Sequence, residues 1–170
     1  MNPLEEVLTP RMRLTRPTDA DRPDLARFHA DPRVMATLNG VRGPDESRAI
    51  FDRMAAHWLP NNFGWWIARD RATGAFLGRG GLRLMLLDGV PEVEIGYGFM
   101  ADVWNRGLAT ELARESIRIG FESLKVPSLV CFTMPTNLAS RRVMEKVGFT
   151  YERDGTWAAL PHVFYRLTRT

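Results

Sequence analysis

Apolar residues alternate with polar or glycine positions from Glu92 to Met100. Val93, Ile95, Tyr97 and Phe99 fall on one side, against Glu92, Glu94, Gly96 and Gly98 on the other, which is the period of a half-buried strand. From Gly107 to Glu122 the spacing becomes helical, with Leu108, Leu112, Ala113, Ile117, Gly120 and Phe121 on one face. Ser128 to Thr133 is a short apolar run suited to a buried strand, and residues 137–147 form a further helix that stops at Gly148. Strand, helix and strand in this order make a βαβ unit. Strands 92–100 and 128–133 are therefore expected to run parallel, joined by a right-handed crossover.

The same reading extends to the rest of the chain. Arg11 to Arg16 has the pattern of a first strand, and Thr18-Asp19-Ala20-Asp21 is a capping signature for a helix that runs to about His29. Asp31 to Gly43 reads as a loop. A second helix follows Pro44, with Ile50, Phe51, Met54, Ala55 and Trp58 at helical spacing, and Pro60 to Gly64 ends it. Trp65–Arg69 and Ala75–Leu87 are expected to pair across the turn Asp70–Gly74, and Asp88–Pro91 turns into the 92–100 strand. Two last strands fall near 149–154 and 161–168. The order predicts an α+β fold, a mixed, mostly antiparallel sheet with helices on both faces. Gly96 and Gly98 suggest a bulge or a close backbone approach within the parallel pair. No repeat, low-complexity tract or linker interrupts the chain, so one domain over residues 1–170 is expected.

Composition narrows the class. With 170 residues and 45% hydrophobic content, the chain can bury one good core. Net charge is only +3 and basic residues are dispersed, which argues against a nucleic-acid binder. The single Cys131 excludes an intramolecular disulfide framework and reads as a core residue of strand 128–133. No leader-like or membrane-length apolar run is present, so a cytoplasmic protein without a membrane partner is expected. His29, His57 and His162 share no ligand spacing, so no metal is expected. Gly78-Arg79-Gly80-Gly81 has glycines like a dinucleotide loop, but it lies in a strand pattern with no helix after it.

The chemistry is concentrated in two junctions. Trp104-Asn105-Arg106-Gly107-Leu108-Ala109-Thr110-Glu111 is a glycine turn running into a helix. The unpaired N–H groups of the first helical turn, the helix dipole and Arg106 suit an anion, phosphate above all. Thirty residues on, Asn137-Leu138-Ala139-Ser140 opens the next helix, which ends in Gly148-Phe149. Together these segments resemble the acetyl-CoA motifs of the GNAT superfamily of N-acetyltransferases, and most nearly its RimJ/RimL-like branch, which acetylates ribosomal protein N-termini. The likeness runs in outline from about Thr9 to Arg169. Asn105 departs from the branch's first glycine, and Met144 stands where many members carry a tyrosine that protonates the departing thiolate.

That resemblance implies the GNAT fold, with the central parallel strands splayed for the pantetheine arm, and acetyl-CoA as co-substrate. It implies cofactor contacts at Phe99, Met100, Asn105, Arg106, Gly107, Leu108, Ala109, Thr110 and Asn137. It implies catalysis at Glu94, as a base acting through water, and at Ser140, which would meet the thiol end of the cofactor. Glu92 is the alternative carboxylate, and either could instead attract a cationic acceptor. Asn137 as a simple cap and Ser140 as a solvent-facing residue stay open. The acceptor is expected to be an amine, on a protein N-terminus or a small molecule, with its groove built from His29–Arg42, Trp58–Phe63 and Thr156–Val163. Of the adjacent Trp65 and Trp66, at most one can line it. Any self-association is expected to be as a homodimer. An inactive acyl-CoA sensor is the rival reading, favoured by Met144.

Overall fold

The computed structural model describes residues 2–169. Among the described residues eight strands form one sheet: β1 (Glu6–Leu8), β2 (Met12–Thr15), β3 (Trp65–Asp70), β4 (Phe76–Leu87), β5 (Val90–Phe99), β6 (Ser128–Thr133), β7 (Thr150–Trp157) and β8 (Leu160–Thr168). The spatial order is β1-β2-β3-β4-β5-β6-β8-β7, and every neighbouring pair is antiparallel except β5 and β6. β4 and β5 pair along ten registered positions, from Gly78↔Phe99 to Leu87↔Val90. The parallel pair has a single one, Glu94↔Val130. Beyond Glu94 the two strands diverge, as the resemblance implied.

Helices cover both faces. On one, α1 (Arg22–Ala30), α2 (Pro32–Met35) and α3 (Pro44–Asn61) pack Leu25, Phe28, Val34, Phe51 and Met54 onto Ile67 and Phe76. On the other, α4 (Leu108–Arg118) and α5 (Leu138–Lys146) bring Leu112 and Met144 onto Ile95, Leu129, Cys131 and Tyr165. The alternation read from the sequence decides which side chains go where. Val93, Ile95 and Phe99 enter the α4–α5 core, while Glu94, Gly96 and Gly98 face α1–α3. Among the described residues no helix is long and apolar enough to cross a membrane.

β5 begins at Val90, inside the expected turn, and β7 runs on to Trp157; four further boundaries differ from expectation. β1 was not foreseen, because three residues are too few to show a period. Residues 32–35 are helical within the expected loop, since Asp31 accepts the Arg33 N–H at 2.9 Å and Pro32 occupies the first helical position. α3 carries on through Pro60 to Asn61 and stops at Asn62, whose φ of 58° is left-handed. The expected 107–122 helix is α-helical only to Arg118 and then widens into a π turn over Ile119–Ser123. Gly96 and Gly98 do not form a bulge; they allow close approach. A Cβ on Gly98 would lie 2.8 Å from Phe28, and one on Gly96 2.5 Å from Trp65.

Candidate active site

The divergence of β5 and β6 opens a cavity of about 950 Å³ that reaches from the start of α4 to the α1–α3 face. Gly107 caps α4 with φ +77°, a left-handed conformation that a side chain would strain. The N–H groups of Leu108, Ala109 and Thr110 precede the first intrahelical bond, which Glu111 N–H makes to Gly107 at 3.0 Å. All three residues line the cavity, with Asn105 and Arg106. Glu111 would repel an anion here, but its carboxylate is turned away. It accepts from Thr9 Oγ1 at 2.6 Å, Arg11 N–H at 2.9 Å and Arg11 Nε at 2.7 Å. Arg11 Nη1 also donates to the Arg106 carbonyl at 2.6 Å, which ties the turn to the start of β2. Burial raises the Glu111 pKa, yet these bonds outweigh it and hold the carboxyl below its ordinary range.

At the end of β5, Met100 N–H donates to Leu77 of β4 at 2.8 Å. Strand alternation then turns the N–H groups of Tyr97 and Phe99 the other way, into the gap where β6 has departed. Trp104 Nε1 donates to the Phe99 carbonyl at 2.9 Å and fixes this end of the strand. Glycine turn, free helical N–H groups and free strand N–H groups together fit a pyrophosphate and a pantetheine arm. Arg142 and Lys146, one turn apart on α5, add positive charge to the same cavity.

On the α1–α3 side of the gap, cross-strand register puts Glu94 opposite Arg83, Gly96 opposite Gly81, and Gly98 opposite Arg79. Glu94 is buried and accepts from Arg83 at 2.7 Å. The Trp65 indole lies between two guanidinium groups, 4.3 Å from that of Arg79 and 4.8 Å from that of Arg83. Glu92, the alternative carboxylate, pairs with Arg166 at 2.8 Å and does not line the cavity. On the opposite side, the Tyr97 hydroxyl is 3.1 Å from Ser140 Oγ. Burial pushes the Tyr97 phenol well above its usual pKa, so it carries its proton at neutral pH. Burial, and then the Glu94 charge, push the Cys131 thiol up as well, which leaves it un-ionised in the core.

Most residues singled out from the sequence meet in this cavity: Glu94, Phe99, Asn105, Arg106, Gly107, Leu108, Ala109, Thr110, Asn137 and Ser140 all line it. Met100 does not. Its N–H is spent on β4 and its side chain packs against the α1–α3 cluster. Asn137 is a helix cap, accepting from Ser140 N–H at 3.2 Å and donating to Thr133 at 2.9 Å, and its amide retains a second N–H. Ser140 is half-buried rather than solvent-facing. Of the three expected groove segments, 58–63 is absent from the cavity. Trp58 is buried with its indole donating to the Trp65 carbonyl, and Phe63 is core. Trp65 lines the cavity, while Trp66 is buried and donates to the Leu4 carbonyl at 2.7 Å. Arg79, Arg83 and the Tyr97 hydroxyl were not foreseen. The first two had a signal, arginines inside a long apolar strand pattern. Gly78–Gly81 is strand, as read. Among the described residues, no three His, Cys, Asp or Glu side chains are grouped to hold a metal.

Comparison with known proteins gives this geometry a context. The model of the acetyltransferase (GNAT) domain matches residues 11–150. The Bacillus subtilis (strain 168) protein YkkB is 31% identical over 154 residues, 90% of each chain. The crystal structure of the acetyltransferase from Agrobacterium tumefaciens str. C58 superposes with a TM-score of 0.85 at 26% identity, covering 96% of this chain and 94% of that one. A putative ribosomal-protein-serine acetyltransferase from Vibrio cholerae shares the fold, with a TM-score of 0.80 at 16% identity over 99% of this chain and 100% of its own.

Proposed function

The chain belongs to the GNAT acetyltransferases, and from that premise we propose that it acetylates a primary amine, the α-amine of a protein N-terminus or an amine of a small molecule, by direct attack in a ternary complex. Acetyl-CoA-dependent N-acetylation is the activity of the family. The observation that carries the finer reading is the gap between β5 and β6. It has a helix start with free N–H groups at one end and Glu94 at the other. Acetyl-CoA supplies an activated thioester. Leu108, Ala109 and Thr110 N–H groups would hold its pyrophosphate, and Asn137 and Phe99 would flank the arm.

Glu94 takes one proton from the acceptor's ammonium, through water, to give the attacking amine. An α-amine has a pKa of about 8 against about 10 for an alkyl amine, so a carboxylate need do less for it. The free Tyr97 and Phe99 N–H groups are aimed to stabilise charge on the thioester oxygen. As nitrogen bonds to the carbonyl carbon and the C–S bond breaks, the Tyr97 hydroxyl gives the sulfur a proton and recovers one through Ser140. The nitrogen's second proton leaves as the amide forms, so one proton is released overall. Tyr97 thus answers for the tyrosine missing at Met144, which is core. The inactive-sensor alternative has no support.

The resemblance to the RimJ/RimL-like branch, together with the name of the Vibrio cholerae neighbour, is what supports an N-terminal α-amine among the acceptors. A screen of free amines and N-terminal peptides with acetyl-CoA, following thiol release, tests this reading. Turnover of small amines with none of any N-terminal peptide would exclude the protein acceptor. Tight CoA binding with no turnover at all would refute the enzyme.

A further inference from the structure

Arg79 is 7% exposed, lines the cavity, and makes no hydrogen bond or ion pair to any described residue; its Nε is fully enclosed without an acceptor. Its faces are occupied, by Phe28 at 5.3 Å and Trp65 at 4.3 Å, so only its N–H edges remain to bond. Burial, and then Arg83, lower its pKa to about 10 with Glu94 opposing, so it is charged at neutral pH. Trp65 Nε1, over Gly96, is a second enclosed donor without an acceptor. Glu94 serves neither of them: Arg83 engages its Oε2, and no hydrogen bond joins it to Arg79 or Trp65. A buried unpaired guanidinium is costly, and a carboxylate matches its paired donors in shape and charge.

We propose that Arg79, with Trp65, forms a subsite for a free carboxylate, so that the acceptor is a small amine carrying a carboxylate at the far end of its chain, an ω-amino acid. The inference rests on the acetyltransferase reading and narrows its acceptor away from peptide N-termini. Register sets the arrangement. Arg83 and Glu94 stand together four strand positions from Arg79, so the amine meets Glu94 while the carboxylate meets Arg79. Gly96 and Gly98 keep the floor between them bare of side chains.

The test is a panel of acetyl acceptors measured with acetyl-CoA: amino acids, ω-amino acids of increasing length, their primary amides, the matching amines without carboxylate, and a polyamine. The wild-type protein should prefer a carboxylate-bearing acceptor over its amide by about ten- to a hundredfold in kcat/KM. Arg79→Met should bring that ratio toward one through KM, and Arg79→Lys should restore part of it. Acetyl-CoA affinity reports that each variant is folded. The melting temperature of unliganded Arg79→Met should rise by a few degrees, since a buried unpaired charge is removed. Equal use of amides, amines or the polyamine by the wild type, or a ratio that Arg79→Met leaves unaltered, overturns the subsite while the acetyltransferase reading stands. Absence of thiol release with every acceptor overturns both.

Discussion

Glu94 is held by Arg83 at 2.7 Å in a buried position, so its amide analogue tests proton transfer against simple attraction. If it is the base, Glu94→Gln should lower kcat at neutral pH by about a hundredfold or more with acetyl-CoA affinity unchanged. The deficit should shrink as pH approaches the amine's own pKa, because free amine then forms unaided. A rise in KM with kcat preserved would mean that the carboxylate only attracts the acceptor. Glu94 and Ser140 could be singled out from the sequence because each sits at a fixed place in a recognisable segment. Arg79 stands out only as an arginine in an apolar strand pattern, and the Tyr97 hydroxyl not at all, since their meaning depends on what lies across the strand. Gly98 opposite Arg79 leaves the guanidinium to the aromatic rings, and Ser140 reaches Tyr97 from 43 positions away. The preference of Trp65 over Trp66 for the cavity likewise depends on which sheet face each helix layer covers.

The start of α4 is held by the segment that leads into β2. Glu111 takes donors from Thr9 and Arg11, and Arg11 in turn grips the Arg106 carbonyl. Glu111→Gln should cost about 1–2 kcal/mol in denaturant unfolding and weaken CoA binding as the turn loosens. Its pKa is depressed on folding, so the carboxylate's contribution is complete above its ordinary value of 4.5 and is lost as pH falls through the lower folded value. The stability gap between wild type and variant should accordingly narrow below pH 4.5. A gap that widens in acid would contradict the assignment. At this scale the sequence was informative where a period ran long enough. β5, β6 and α5 fell close to where alternation and capping located them. β1 and α2 did not, being three and four residues long, and the π turn after Arg118 leaves the helical period too nearly intact to see.

Seen whole, the sheet is two ladders, β1 to β5 and β6-β8-β7, joined through Glu94↔Val130. The βαβ pattern made the parallel pair legible, but the divergence is a property of three-dimensional packing and was known only through resemblance. A ligand lying between the ladders should stabilise both. At a hundredfold excess over its Kd, CoA should add about 2.7 kcal/mol, which corresponds to a melting shift of roughly 5–11 °C in a chain of this size. Differential scanning calorimetry with and without CoA measures it, and no shift would mean that nothing binds there. The same divergence has a second consequence. Backbone donors along Tyr97 and Phe99 are an open strand edge inside the molecule, and an open edge accepts any extended chain, not only a pantetheine arm. Unliganded protein should therefore be the form that self-associates on mild heating, and light scattering should fall as CoA is added. Cofactor supply would then act as a guardian of solubility, with the starved enzyme the first to be lost.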